Sequence, residues 1–154
     1  MKELLLIAAL SLPVIASAQS NAEDLDLIQG VYGKEKKAIV ADFIELPQEQ
    51  SDAFWLLYDE YETKRKELGK QRVALLDRYV NNFETMDDAT TSQLVRESSE
   101  LGAKTDKLVL TYFKKMEKVA GVKPAAQFYE LEFFFLSAIR LTIFERIPEI
   151  RDLK

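Results

Sequence analysis

The chain predicts an all-α fold, four helices with a long central antiparallel hairpin and coiled-coil-like packing. Two scarcities and one pattern predict it. Turn punctuation is thin, with 5 Gly and 4 Pro in 154 residues and no Asn-Gly dipeptide. Period-two alternation, the mark of half-buried strands, is rare. Apolar residues instead recur at three- and four-residue steps almost throughout, the spacing of one helical face.

The elements follow in order. Residues 1–18 read as a secretory signal peptide: Lys2 near the start, an apolar run from Leu4 to Ile15, then Ala16-Ser17-Ala18 as a small-x-small trim site. Cleavage after Ala18 leaves 19–154 as a single all-helical domain. Ser20 and Glu23 have the spacing of a capping box, in which hydroxyl and carboxylate satisfy each other's backbone donors. Leu25, Ile28, Tyr32, Ile39, Phe43 and Leu46 then mark the first helix to about Glu45, with Glu35 or Lys36 interrupting the stripe by charge. Leu46 precedes proline, which disfavours helical geometry, so the chain turns there.

Pro47 opens the second helix, to about Asn82, as proline does at a first helical position. Its seam is Phe54, Tyr58, Tyr61, Leu68, Leu75, Tyr79 and Phe83, with Arg65 and Arg72 in the gaps. Glu60 with Lys64, and Glu62 with Lys66, are expected to pair along its exposed face. Asn81 to Asp88 is the polar turn, with Asp87 as helix cap. The third helix carries Leu94, Ser98, Leu101, Thr105, Leu108, Tyr112, Lys115 and Val119 at alternating steps of four and three, a coiled-coil spacing. Gly121 is a left-handed stop, and Pro124 starts the next helix.

The fourth helix, Ala125 to Ile147, has two apolar faces. Phe128, Leu131, Phe135 and Ile139 form one stripe, while Phe133, Phe134, Leu141 and Phe144 lie on the other side. An amphipathic helix needs one such face. The second is a core face, a dimer interface or a binding surface. Glu132 on the first stripe needs a cation, and Arg65 or Arg72 is the expected partner.

Composition excludes several chemistries. The chain has no Cys and no His, so it has no disulfide, no thiolate nucleophile, no imidazole base and no imidazole metal ligand. Only a carboxylate-rich site for calcium or magnesium is open to it, and no loop has the spacing of a calcium hand. Gly30 and Gly33 lie in a charged helical stretch and make no phosphate loop. A net charge of -5 with scattered cations is unsuited to nucleic acid. No stretch after residue 20 is long enough to span a membrane. No catalytic, cofactor-binding or metal-binding residue is assigned, and no cofactor is expected.

Leu46-Pro47-Gln48-Glu49-Gln50 resembles the Leu-Thr-x-x-Gln box of the Spy/CpxP family of periplasmic helical proteins, and Phe54-Trp55-Leu56-Leu57-Tyr58-Asp59-Glu60-Tyr61 is similar to a stretch in its relatives. Where a second box opens the family's last helix, the chain reads Lys123-Pro124-Ala125-Ala126-Gln127, keeping the Gln but not the Leu-Thr pair. Pro47 lacks the hydroxyl and N–H of a reciprocal cap, so Leu46 is expected at the cap, with Glu49 reaching back to its backbone. Leu46, Pro47 and Gln50 are therefore motif residues with a structural role. The resemblance implies an antiparallel homodimer shaped as a shallow cradle. It further implies an exported ATP-independent chaperone that holds unfolded envelope proteins, with Phe133, Phe134, Leu141 and Phe144 as candidate client or dimer contacts. The alternative is a regulatory adaptor that docks on one envelope or sensor partner without catalysis.

Overall fold

The computed structural model describes residues 36–150, so the signal segment, the Ser20–Glu23 capping box and Leu25, Ile28 and Tyr32 lie outside the described residues. The architecture is all-α with four helices. The described part of α1 covers residues 36–43. A 3-10 turn, Gln48–Gln50, leads into α2, Ser51–Asn82, and a second, Phe83–Thr85, leads out of it. Helix α3 is Asp88–Ala120 and α4 is Val122–Arg146. At roughly 1.5 Å per residue the 32-residue α2 is about 48 Å long, and α3 is its antiparallel match. No described helix is long and apolar enough to cross a membrane.

Local chemistry explains each boundary. Helix α1 stops at residue 43, two residues short of expectation, because the residue before Pro47 is driven towards extended geometry and the chain must straighten ahead of it. Gln127 on α4 takes over the exposed backbone there: its Nε2 donates to the Phe43 carbonyl at 3.3 Å and its Oε1 accepts from the Glu45 N–H at 3.2 Å. Pro47 does not sit inside a helix. It is the cap of the 3-10 turn, at φ -59 and ψ 140, and makes no side-chain cap bond. The expected cap at Leu46 is therefore displaced by one residue. The Pro47 carbonyl instead accepts from the Gln50 N–H at 2.9 Å, closing the turn that starts α2.

Asp87 caps α3 as expected, its carboxylate accepting from the Thr90 N–H at 2.8 Å. Gly121 stands at φ 83, where a Cβ is disfavoured, and its N–H donates to the Glu117 carbonyl at 3.1 Å. Helix α4 starts directly at Val122, so Pro124 is its third residue and not its first. That position still belongs to the first turn, whose N–H groups have no intrahelical partner, so proline loses nothing there.

The core is an aromatic cluster near the α1 end. Phe54, Tyr58, Tyr61, Tyr112 and Phe128 are essentially inaccessible, and Val40, Val109, Met116 and Phe135 close around them. The Tyr61 ring meets Phe128 edge-on at 5.0 Å and Tyr112 at 5.5 Å. Each fully buried large side chain of this kind contributes on the order of 1.5–3 kcal/mol before its ordering cost. Trp55 is half-buried beside it, 5.4 Å from the Tyr58 ring. Lys37 on α1 lies 5.3 Å from the Trp55 ring and pairs with Asp59 at 2.6 Å.

Two seams shift from expectation. On α1 the inward residues are Lys36, Val40 and Ile44, while Ile39 and Phe43 are exposed. On α3 Leu94, Leu101, Thr105 and Tyr112 are buried as expected, but Val109, Met116 and Ala120 replace Leu108, Lys115 and Val119, and Ser98 is exposed. The buried set pairs off at eleven-residue intervals, 94 with 105, 105 with 116, 101 with 112 and 109 with 120. Eleven residues fit three turns of a straight helix, whereas a seven-residue repeat drifts by about 20° per heptad and demands supercoiling.

Candidate functional site

Three features stand out: a buried ionic cluster, an apolar cavity at the hairpin end and the outer face of α4. The cluster is built by Lys36 of α1, Glu62 and Arg65 of α2, and Glu132 of α4. Lys36 is 3% exposed and Glu132 0%. The Lys36 ammonium donates to Glu62 Oε1 at 2.7 Å and meets Glu132 Oε1 at 2.5 Å, an ion pair more than a directed hydrogen bond. It also lies 5.4 Å from the Tyr61 ring and 5.3 Å from Phe135, within cation–π range. Arg65 grips Glu62 through Nε at 2.8 Å and Nη2 at 2.9 Å. Tyr61 donates its hydroxyl to Glu132 Oε2 at 2.5 Å.

Two cations thus face two carboxylates, and the cluster is neutral. Burial alone raises the Glu62 carboxyl, but Arg65 and Lys36 outweigh it and hold the group below its usual range. Burial pushes the Tyr61 and Tyr58 hydroxyls well above the ordinary tyrosine value, with Glu132 and Glu62 adding to it. The cluster is sealed from solvent, so it fastens α1 to α2 and α4 and offers no access to a substrate.

This arrangement corrects the expected partners. Glu132 pairs with Lys36, and neither Arg65 nor Arg72 takes that role: Arg65 is engaged bidentately by its own helix neighbour Glu62. Glu62 faces inward and does not pair with Lys66. Glu60 is used across helices, accepting from the Tyr112 hydroxyl at 3.3 Å and lying 3.7 Å from Lys115. The charges in the apolar stripes at Lys36 and Glu132 are visible in the sequence, but their pairing is not, because Lys36, Glu62 and Glu132 are 26 and 70 or more residues apart.

The motif residues act locally. Leu46 packs against the core, Pro47 caps the 3-10 turn, and Gln50 is half-buried at the start of α2 with its Oε1 turned inward. Gln127, the residue kept from the second box, clamps the turn as described above. Lys123 adds a surface pair to Glu45 at 2.6 Å.

At the far end, Leu75, Leu76, Leu94, Val95, Phe144 and Ile147 line an apolar cavity of about 580 Å³. The segment after α4 closes one side of it, tied down by the Tyr79 hydroxyl donating to the Pro148 carbonyl at 2.6 Å. No local sequence signal marks this strap, because Tyr79 and Pro148 are 69 residues apart.

The outer face of α4 gathers all four candidate contacts. Phe133, Phe134, Leu141 and Phe144 are 63, 64, 59 and 63% exposed, and Tyr129 continues the face at 44%. At about 100° per residue these four project within about a third of the helix circumference, opposite the buried line of Phe128, Leu131 and Phe135. Ser137 lies among them and bonds back to the Phe133 carbonyl at 2.8 Å, so it is turned to its own backbone. Arg140 flanks the strip and reaches Asp106 of α3 at 3.2 Å.

Among the described residues no group of three acidic, His or Cys side chains is placed to hold a metal ion. No protein-family model matches the chain, and neither does any curated protein or solved structure.

Proposed function

We propose that the chain is an exported, ATP-independent holding protein of the bacterial envelope, similar in manner to the Spy/CpxP proteins, that grips apolar segments of unfolded partners. One observation carries the reading: Phe133, Phe134, Leu141 and Phe144 share one face of α4 and stay about 60% exposed, on a helix whose opposite face is buried. Large apolar side chains gathered and left exposed on one face mark a contact site.

The magnitude fits holding and letting go. Burying the exposed part of each of the four side chains is worth roughly 1–2 kcal/mol, or about 4–8 kcal/mol together before association costs. A dissociation constant of 1 μM corresponds to about -8 kcal/mol, so the strip gives weak, releasable contact. Arg140 and the carboxylates of Glu130 and Glu145 beside it keep the rim hydrated. The residues this mechanism needs are apolar, and no nucleotide or metal enters it.

Purified protein is expected to slow aggregation of an unfolded client at near-stoichiometric ratio, and the double variant Phe134→Glu/Leu141→Glu to lose that effect while keeping its helical circular dichroism. Unchanged protection by the variant refutes the reading. In-cell crosslinking that recovers one dominant partner, in place of many clients, assigns the strip to an adaptor instead.

A further inference from the structure

Helix α3 sorts its charges by face. Between Leu101 and Ala120 it carries five lysines and two carboxylates. Lys115 turns towards α2, 4.6 Å from the Tyr112 ring and 3.7 Å from Glu60. Asp106 turns towards α4, where Arg140 reaches it at 3.2 Å. Glu117 is half-buried and, eleven residues on, falls on that same side, where Phe113 meets the Tyr129 ring at 6.1 Å. The remaining four, Lys104, Lys107, Lys114 and Lys118, are exposed and enter no ion pair among the described residues.

At about 100° per residue these four project within about 80° of arc, on the side away from the buried line of Leu101, Thr105, Tyr112 and Met116. From Lys104 to Lys118 the ridge runs about 21 Å at 1.5 Å per residue. Ala103, Leu110 and Thr111 fill its gaps and are exposed, and the Thr111 hydroxyl donates to the Lys107 carbonyl of its own helix at 2.7 Å. Glu100, one turn before Lys104, is the first acid met along it. The chain as a whole stands at -5, so this is a basic line on an acidic molecule.

The shape of the ridge selects its partner. A convex helix face cannot surround a small anion, and lysines strung along its length do not converge on one point. A protein partner needs an apolar core with large anchoring side chains, and the ridge offers Leu110 alone. A flat, extended negative surface fits, because each lysine then meets its own anionic group. We propose that α3 lies along an anionic phospholipid bilayer through Lys104, Lys107, Lys114 and Lys118, with Leu110 between them at the lipid boundary. The net negative charge opposes other orientations, so the ridge sets which face meets the lipid. Such attraction is worth about fivefold in binding per lysine and fades over about 8–10 Å at ordinary ionic strength. The ridge is separate from the outer strip of α4, so it stands or falls independently of the holding function.

The test is flotation of the mature-length chain with phosphatidylcholine vesicles, with and without phosphatidylglycerol. The chain is expected to float with the anionic vesicles at low salt, to ignore the neutral ones, and to detach as ionic strength rises. The variant Lys107→Gln/Lys114→Gln/Lys118→Gln is expected to bind the anionic vesicles at least about tenfold more weakly. Its charge-matched control, Lys66→Gln/Lys70→Gln/Lys123→Gln, removes three exposed lysines of α2 and α4 and is expected to lose less than about twofold. All of these substitutions are on the surface, and unchanged helical circular dichroism verifies that both variants fold. No binding to the anionic vesicles, equal binding to the neutral ones, or an equal loss in the two variants overturns the proposal. Retention on immobilised polyglutamate without vesicle binding gives the ridge to an acidic polypeptide and overturns the lipid assignment.

Discussion

Replacing Lys36 by Met tests what joins α1 to the hairpin. The substitution keeps an apolar stem among Tyr61, Phe135 and Tyr58 but removes the ammonium that faces Glu62 and Glu132 at 2.7 and 2.5 Å. Glu62 retains Arg65, so the loss falls mainly on Glu132, left fully buried with the Tyr61 hydroxyl donating to it. Removing one member of a buried pair typically costs about 3–5 kcal/mol, because the remaining charge is uncompensated. Total stabilities of domains are on the order of 5–15 kcal/mol, so the change is large enough to read from urea unfolding followed by far-ultraviolet circular dichroism. The double variant K36M/E132Q removes the stranded charge while Gln can still accept from Tyr61. It is expected to recover about 2 kcal/mol or more, a strong coupling between the two positions. A single-variant cost below about 1 kcal/mol, or a double variant that loses as much as the sum of the singles, refutes the claim that these charges hold α1 in place.

The other expectations are simpler to state. Glu62 has its folded carboxyl lowered, so its contribution is present above the ordinary value of 4.5 and fades as pH falls through the folded value; acid titration of stability should flatten in Glu62→Gln. Tyr58 and Tyr61 have raised hydroxyls, so their contribution is complete below pH 10 and is lost only above it. Tyrosinate absorbance should therefore rise in a step that coincides with alkaline unfolding, and a smooth titration of all tyrosines near pH 10 would contradict the burial. Gly121→Ala meets no atom within 4 Å, so its cost comes from the backbone alone, which at φ 83 and ψ 172 lies in a region essentially confined to glycine, about 1–3 kcal/mol by thermal unfolding. Gln127→Ala frees the Phe43 carbonyl and the Glu45 N–H together and should cost about 1 kcal/mol, with faster exchange of the Glu45 amide as the specific readout.

The helix boundaries were legible because their causes are local. Pro47, Asp87 and Gly121 act on their own backbone neighbours, and each marks an end within a residue or two. The α2 seam was legible as well, since Phe54, Tyr58, Tyr61 and Phe83 repeat on one line. The α3 seam is legible at Leu94, Leu101, Thr105 and Tyr112 but not at its other positions, because a seven-residue repeat drifts off the inward face of a helix whose buried residues recur every eleven. The drift between the two moves the inward face from Leu108 to Val109 and from Lys115 to Met116. Helix α4 showed its two apolar faces in the sequence, but which one faced inward depended on where α3 and α1 lie. The ionic cluster is legible only in its parts: Lys36 and Glu132 each stand as a charge on an apolar stripe, but they and Glu62 become neighbours only once three helices assemble. The hairpin-end strap at Pro148 depends likewise on Tyr79, 69 residues away.

The chain has a single indole, Trp55, and the Lys37 ammonium of α1 lies 5.3 Å from it. Its emission is thus an intrinsic optical gauge of one event, the seating of the first helix on the second. Lifting that helix withdraws a charge from the ring and opens it to water, a spectral change on the scale of a single contact. Without any dye or label, the molecule signals whether its leading segment is latched.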